Sequence, residues 1–350
     1  KAEQTRYRYH RHCRTQRRDP VAEFCENHDL NREFFRLRRK LKATRNGFGV
    51  KSLDSILATP HYGMAAMTLA VESHRTFALE PLSPVLGASI TGLDLREPLQ
   101  ADVKHAVYEA FLKYHVLCFR DQHLDEAQQI AFTEQFGTLE RHIARNRTGA
   151  NPLVNIVSNL GPDGKPSGKL SSTRWHTDKS FRPLPSLATM LHALVMPPDG
   201  GETCFANMIA AYEALPAADK AALEGVRVVH SWEISRERAG GKATPEEIAD
   251  APPMPHPLVR TIPETGRKAL FMGEHAAYLE GQPMEAGRAR LEQLTAHAIE
   301  ERFVYRHPWR LGDVLMWDNR CLLHRANANF DAARFPRVLQ RTCVRGAAPA

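Results

Sequence analysis

The feature that most restricts the fold is a series of short apolar runs separated by polar, turn-forming stretches. Val116–Phe119, Leu187–Met196, Ala269–Met272, Asp313–Trp317 and Val338–Val344 each span between four and ten residues. Runs of that length suit buried strands better than helices, and none approaches the roughly 18 apolar residues that would span a membrane. Helical spacing occurs before and between them. It is found at Asp102–Tyr114 (Val103, Val107, Ala110, Phe111), in a helix capped by Asp125 and running through Phe136, and at Ile209–Leu223 and Ala286–Glu301. Short strands with helices before and between them predict a mainly β fold with flanking helices, a β-sandwich or jelly roll. Gly161–Gly168 (GPDGKPSG) is expected to be a flexible polar loop.

The 350 residues carry 47 Lys+Arg against 40 Asp+Glu, a formal net charge of +7. That balance invites a nucleic-acid partner, so its location matters. Residues 1–66 hold 15 of the bases and seven of the acids, a net +8, which leaves the remainder at −1. No nucleic acid and no membrane is therefore expected as a partner of the remainder. Glu33–Lys42 (EFFRLRRKLK) is a short basic amphipathic stretch within the first segment. The composition boundary predicts that 1–66 is a disordered or non-native extension upstream of the functional start, and that 67–346 is the working domain. Lys1–Arg18 lacks the apolar core of a secretory signal. Six cysteines without a C-x-x-C pair read as the reduced thiols of a cytoplasmic protein rather than a disulfide framework.

Several catalytic signatures are missing. There is no H-E-x-x-H and no G-x-S-x-G; Gly47-Phe48-Gly49 lacks the third glycine of a dinucleotide loop, and Gly164-Lys165-Pro166 has proline where a phosphate loop needs Ser or Thr. Two His-x-Asp tripeptides are present, His123-Leu124-Asp125 and His176-Thr177-Asp178. On a strand, positions i and i+2 face the same side, so imidazole and carboxylate can take adjacent corners of a metal coordination sphere. Asp125 reads better as a helix cap. His324, 148 residues past His176 and expected on a loop or strand end, is the candidate third ligand. Two histidines and one carboxylate leave the other metal positions open, an arrangement diagnostic of non-haem Fe(II) oxygenases. Arg337 and Arg341 follow; in a strand they share one face, about 13 Å apart. They read either as a surface pair or as an inward pair that meets anions, since guanidinium suits bidentate carboxylate recognition.

From Met67 to Gly346 the chain resembles the Fe(II)/2-oxoglutarate-dependent dioxygenases of the taurine dioxygenase and 2,4-dichlorophenoxyacetate dioxygenase family. The motifs that carry the resemblance are Trp175-His176-Thr177-Asp178, Gly200-Gly201-Glu202-Thr203-Cys204-Phe205, the stretch Gly312 to Arg325 (GDVLMWDNRCLLHR), and the pair Arg337 and Arg341. The resemblance implies a double-stranded β-helix (jelly-roll) core, Fe(2+) bound by His176, Asp178 and His324, and 2-oxoglutarate and O2 as cosubstrates. It implies that Thr203 hydrogen-bonds a carboxylate of 2-oxoglutarate, that Arg337 holds its distal carboxylate, and that Arg341 faces the anionic group of a small organic substrate. Arg337 follows His324 by 13 positions, a little more than the family pattern. An insertion within Ala326–Arg334 would account for this and leaves Arg334 as a rival, on the opposite parity from Arg341.

The implied reaction couples decarboxylation of 2-oxoglutarate to succinate and CO2 with hydroxylation of a substrate C–H. Arg302–Trp309, Trp317–Arg320 and Arg325 look closer to the aryloxyalkanoate branch than to the taurine branch. A taurine, alkylsulfonate or alkylsulfate dioxygenase is the alternative within the class, and a non-catalytic jelly-roll binding protein the alternative outside it. His142 is a candidate substrate contact, set against an ordinary surface role. The oligomeric state is left open, a homo-oligomer included.

Overall fold

A computed structural model describes residues 77–141 and 151–349. The expected extension 1–66, the start of the expected domain at Met67, and His142 lie outside the described residues. In chain order the described strands are β1 (Ala78–Pro81), β2 (Ala88–Thr91), β3 (Val116–Phe119), β4 (Asn155–Ser158), β5 (Ser186–Val195), β6 (Thr203–Asn207), β7 (Arg227–His230), β8 (Met254–Pro257), β9 (Val259–Thr261), β10 (Lys268–Leu270), β11 (Ala276–Leu279), β12 (Val304–His307), β13 (Val314–Asp318), β14 (Leu322–Ala326) and β15 (Val338–Arg345). The helices are α1 (Ala101–Tyr114), α2 (Glu126–Glu134), α3 (Met208–Glu213), α4 (Ala217–Leu223), α5 (Trp232–Arg238), α6 (Pro245–Asp250) and α7 (Met284–Ala298).

Seven strands form the main sheet in the order β1-β2-β3-β13-β5-β15-β4, antiparallel throughout except for β2 and β3. A second sheet, β12-β6-β14, shares a core with it, and two smaller sheets, β11-β7-β8 and β10-β9, complete the described strands. Side chains alternate sides along a strand. In β3, Val116 and Cys118 enter one hydrophobic cluster while Leu117 and Phe119 enter another; in β13, Leu315 and Trp317 separate from Val314 and Met316 in the same way. Both faces of the main sheet are thus covered at β3 and β13, and this is why these two strands are continuously apolar rather than alternating. One face carries α1 and α2 through Val103, Val107, Phe111 and Phe132. The other meets the second sheet through Leu191, Leu339, Phe205 and Leu323.

The expected elements are found with shifted edges. Val116–Phe119 is a strand over the same residues. Asp125 caps α2 in a reciprocal capping box with Gln128, though the helix stops at Glu134, short of Phe136. The expected helix Ile209–Leu223 is two helices, because Pro216 cannot donate a backbone hydrogen bond and disfavours helical geometry in the residue before it. The helix expected at 286–301 starts earlier, after Pro283, and ends at Ala298. Gly161–Gly168 is a loop with a single bridge, Leu160 to Pro166. No helix of the described residues is long and apolar enough to cross a membrane. Cys118, Cys204, Cys321 and Cys343 are free and buried.

Candidate metal and anion site

His324 lies inside β14 rather than at a strand end, directly opposite Phe205 of β6. On its other side it pairs with His176 through two backbone bonds, His176 N–H to His324 O at 3.0 Å and His324 N–H to His176 O at 2.7 Å. This antiparallel pairing sets the two imidazoles side by side, with ring centroids 4.2 Å apart. The chain therefore reunites residues 148 positions apart through strand register, not through proximity in sequence. His176 occupies a single bridge and Asp178 opens a turn, so the tripeptide is not on a regular strand. Asp178 still reaches the same point, with Oδ2 3.7 Å from His324 Nε2, and the three side chains present ligand atoms within 4.8 Å of one another.

The chemistry of these atoms fits a divalent metal of the Fe(II) type. His176 Nδ1 lies 2.8 Å from the carbonyl of Arg174, which can only accept, so Nδ1 carries the proton and Nε2 is free to ligate. Burial, then the neighbouring His176, pushes the His324 pKa down to about 3, which keeps that imidazole in the neutral, ligating form. Burial alone would raise the Asp178 carboxyl; Arg341, His324, His176 and the Thr189 hydroxyl together hold it well below the usual carboxylate range. Thr189 donates to Asp178 Oδ2 at 2.6 Å, and Arg341 Nη1 lies 3.4 Å from Oδ1.

Asn319 ties this carboxylate to the main sheet. Its Nδ2 donates to Thr189 Oγ1 at 2.9 Å, while its Oδ1 accepts from Trp317 Nε1 at 3.0 Å and from the Asp178 N–H at 3.3 Å. Neither Asn319 nor Thr189 was singled out from sequence. The one trace of Thr189 in the sequence is a hydroxyl inside the apolar run Leu187–Met196, where both faces of the strand are buried.

His176, Thr203, Trp317, His324, Arg337 and Arg341 line one small cavity. Arg337 is 2% exposed. Its Nε donates to Gly201 O at 2.8 Å and its Nη2 to Thr203 Oγ1 at 3.2 Å. Gly201 sits at φ +71°, and a Cβ there would come within 2.9 Å of Pro197 and 3.4 Å of Arg337 Cδ, so only glycine lets the loop approach the guanidinium. No carboxylate among the described residues pairs with Arg337, and burial pushes its pKa down to about 10. The rival Arg334 is exposed and stacks over Phe335. A bulge between Val338 and Leu339 interrupts the β15–β5 register, yet Arg337 and Arg341 still face one cavity. Both side chains turn to the cavity rather than forming a surface pair.

Two other buried clusters have metal-like composition, His115–Asp318–Cys321 and Cys118–His307–Asp313. In both the carboxylate is already neutralised, Asp318 by Arg320 at 2.8 Å and Asp313 by Arg120 at 2.7 Å. His123 is exposed, and its partner in the tripeptide, Asp125, is a helix cap.

Residues 78–343 match the family described as taurine catabolism dioxygenase TauD, TfdA family. An alpha-ketoglutarate-dependent 2,4-dichlorophenoxyacetate dioxygenase of Cupriavidus pinatubonensis is 40% identical over 75% of this chain and 95% of its own length. A (S)-phenoxypropionate/alpha-ketoglutarate-dioxygenase of Sphingobium herbicidovorans is 36% identical over 71% and 89%. The crystal structure of AAD-2 in complex with Mn(II) and N-oxalylglycine superposes with a TM-score of 0.71 at 39% identity, covering 79% of this chain and 98% of that one. With its described fold matched from β1 to β15 and relatives this similar over more than two thirds of its length, the chain belongs to the taurine catabolism dioxygenase TauD, TfdA family.

Proposed function

We propose that this chain is an Fe(II)- and 2-oxoglutarate-dependent dioxygenase that hydroxylates a small anionic substrate, an aryloxyalkanoate of the 2,4-dichlorophenoxyacetate type, with release of succinate and CO2. One observation carries the reading: a buried His-Asp-His cluster opens onto the same cavity as Arg337, a buried guanidinium that pairs with no carboxylate among the described residues. A cation placed there without a protein counter-ion calls for an anionic ligand beside the metal position. The relatives named for 2,4-dichlorophenoxyacetate and (S)-phenoxypropionate support the choice of substrate class.

In this reading His176, Asp178 and His324 would hold Fe(II), which when bound would supply the O2 chemistry. The protein supplies binding and orientation. Arg337 and Thr203 hold 2-oxoglutarate by its distal carboxylate, the guanidinium already desolvated and fixed by Gly201 before the ligand arrives. Arg341 shares its charge between Asp178 and the carboxylate of the substrate. Trp317, Leu191 and Val157 provide an apolar wall that excludes water. Hydroxylation of the carbon between ether oxygen and carboxylate gives a hemiacetal, which separates into a phenol and an oxo-acid.

The two sheets sharing one core support a double-stranded β-helix, or jelly roll, and the family match from residue 78 supports a domain within 67–346 with 1–66 outside it. Four buried free thiols support a reducing, cytoplasmic setting. A panel of phenoxyacetates, phenoxypropionates, taurine and alkylsulfates, read by succinate formation, tests the assignment. Turnover of phenoxyacetates with phenol release is expected; turnover of taurine or alkylsulfate alone moves the protein to the sulfonate and sulfate branch.

A further inference from the structure

Thr203 Oγ1 has one proton to give and two lone pairs to accept with. Both lone pairs are engaged: Trp309 Nε1–H donates at 3.0 Å and Arg337 Nη2–H at 3.2 Å. An indole N–H and a guanidinium only donate, so the Thr203 proton cannot point at either. Thr203 is 3% exposed and lines the cavity, and none of its described hydrogen bonds uses that proton. The hydroxyl is therefore preset as a donor.

Trp309 is held where it does this. His307 lies directly across from Thr203 in the β12–β6 register, and Trp309, two residues past the end of β12, brings its indole to the Thr203 hydroxyl. The indole meets the His307 ring edge-on, with centroids 4.8 Å apart at 85°. His307 lies 3.1 Å from Asp313 Oδ2 through Nε2 and 3.0 Å from the Tyr305 hydroxyl through Nδ1. A carboxylate only accepts, so Nε2 donates to Asp313 and Nδ1 accepts from Tyr305. The Cys118–His307–Asp313 cluster, which mimics a metal site in composition, instead anchors Trp309.

We propose that Trp309 is a positioning residue for the cosubstrate: it occupies one acceptor site of Thr203 and so directs the Thr203 proton at the carboxylate of 2-oxoglutarate. This rests on the reading of Thr203 and Arg337 as the 2-oxoglutarate site. Trp309→Phe removes the N–H and keeps a ring against His307. Binding of 2-oxoglutarate, measured by titration calorimetry without O2, is expected to weaken about 5- to 10-fold, the worth of one oriented hydrogen bond. The kcat is expected to stay within about 2-fold and the KM for the organic substrate to be unchanged, a split that general loss of packing would not give.

The same substitution in a Thr203→Val background separates the cases. If Trp309 acts through the hydroxyl, adding Trp309→Phe to Thr203→Val changes the 2-oxoglutarate Kd by less than about 2-fold. Equal weakening in both backgrounds, or no weakening with Thr203 intact, overturns the role of Trp309 alone. Unchanged 2-oxoglutarate binding in Thr203→Val overturns the cosubstrate assignment of Thr203, and the role of Trp309 with it.

Discussion

Arg337→Met exchanges function for stability in a way the structure quantifies. The guanidinium is 2% exposed, and its pKa is pushed down to about 10 by burial. For a base whose folded pKa is lowered, the penalty is fully in place at neutral pH and is relieved only as pH rises above the folded value. At about 1.4 kcal/mol per pH unit, that desolvation costs the fold roughly 3 kcal/mol. Against it stand the bonds to Gly201 O and Thr203 Oγ1, worth about 1 kcal/mol each. Methionine fills much of the same volume without a charge, so the net change is roughly 1 kcal/mol in favour of the variant.

For a domain of this size that is a Tm equal to wild type or about 2–4 °C above it. Loss of a charge-assisted pair with a carboxylate, about 3 kcal/mol, should weaken 2-oxoglutarate binding at least ~100-fold. Thermal melts with and without 2-oxoglutarate read both effects at once, because a ligand that binds only the folded protein raises Tm. Wild type should gain stability with 2-oxoglutarate, whereas the variant should start as high or higher and gain nothing. A variant that melts more than about 5 °C lower and still responds to 2-oxoglutarate like wild type would refute the reasoning.

Three further outcomes are expected. Burial, with His176 adding to it, pushes His275 down to about 3, whereas an unfolded histidine takes its proton near pH 6.5. The unfolded state binds more protons in that window, so the metal-free protein should lose about 1.4 kcal/mol per pH unit from this group as pH falls below about 6.5; urea unfolding between pH 7 and 4 should show a shallower slope for His275→Gln. Gly273 sits at φ +125°, and a Cβ there would lie 2.9 Å from Leu323 Cδ2 and 3.2 Å from His176 Cα. Gly273→Ala should therefore cost about 2–3 kcal/mol in urea unfolding and weaken metal binding in titrations with Fe(II). Arg320 is paired with Asp318 and Glu264, so Arg320→Leu leaves buried carboxylates without a counter-charge and should destabilise by about 3–5 kcal/mol; a loss below 1 kcal/mol in urea unfolding would contradict that network.

The three residues that the structure brings together, His176, Asp178 and His324, were legible from sequence because they sit in motifs with short, distinctive neighbours. The pairing that joins them was not, since nothing in the spacing of His176 and His324 reveals that each donates its N–H to the other's carbonyl. Strand positions were legible wherever both faces are buried, as in β3 and β13, where apolar residues run on without alternation. Helix edges were less so: the pattern at 209–223 continues through Pro216 as far as apolar spacing can tell, while backbone chemistry ends it there. The supporting polar residues were hidden for another reason. Asn319, Thr189 and Trp309 act through side-chain hydrogen bonds to partners distant in sequence, and a threonine in an apolar run or a tryptophan after a proline carries no periodic signal.

The most direct test of the central claim is conversion of 2-oxoglutarate to succinate by the full-length protein in the presence of phenoxyacetate. It is measured with Fe(II) supplied, with Fe(II) chelated, and in His176→Ala, Asp178→Ala and His324→Ala. Succinate should form in step with phenol in the Fe(II)-supplied wild type, stop with the chelator, and fall by on the order of 1,000-fold or more in each variant. Undiminished succinate formation by His324→Ala, or by wild type with its iron removed, would contradict the account.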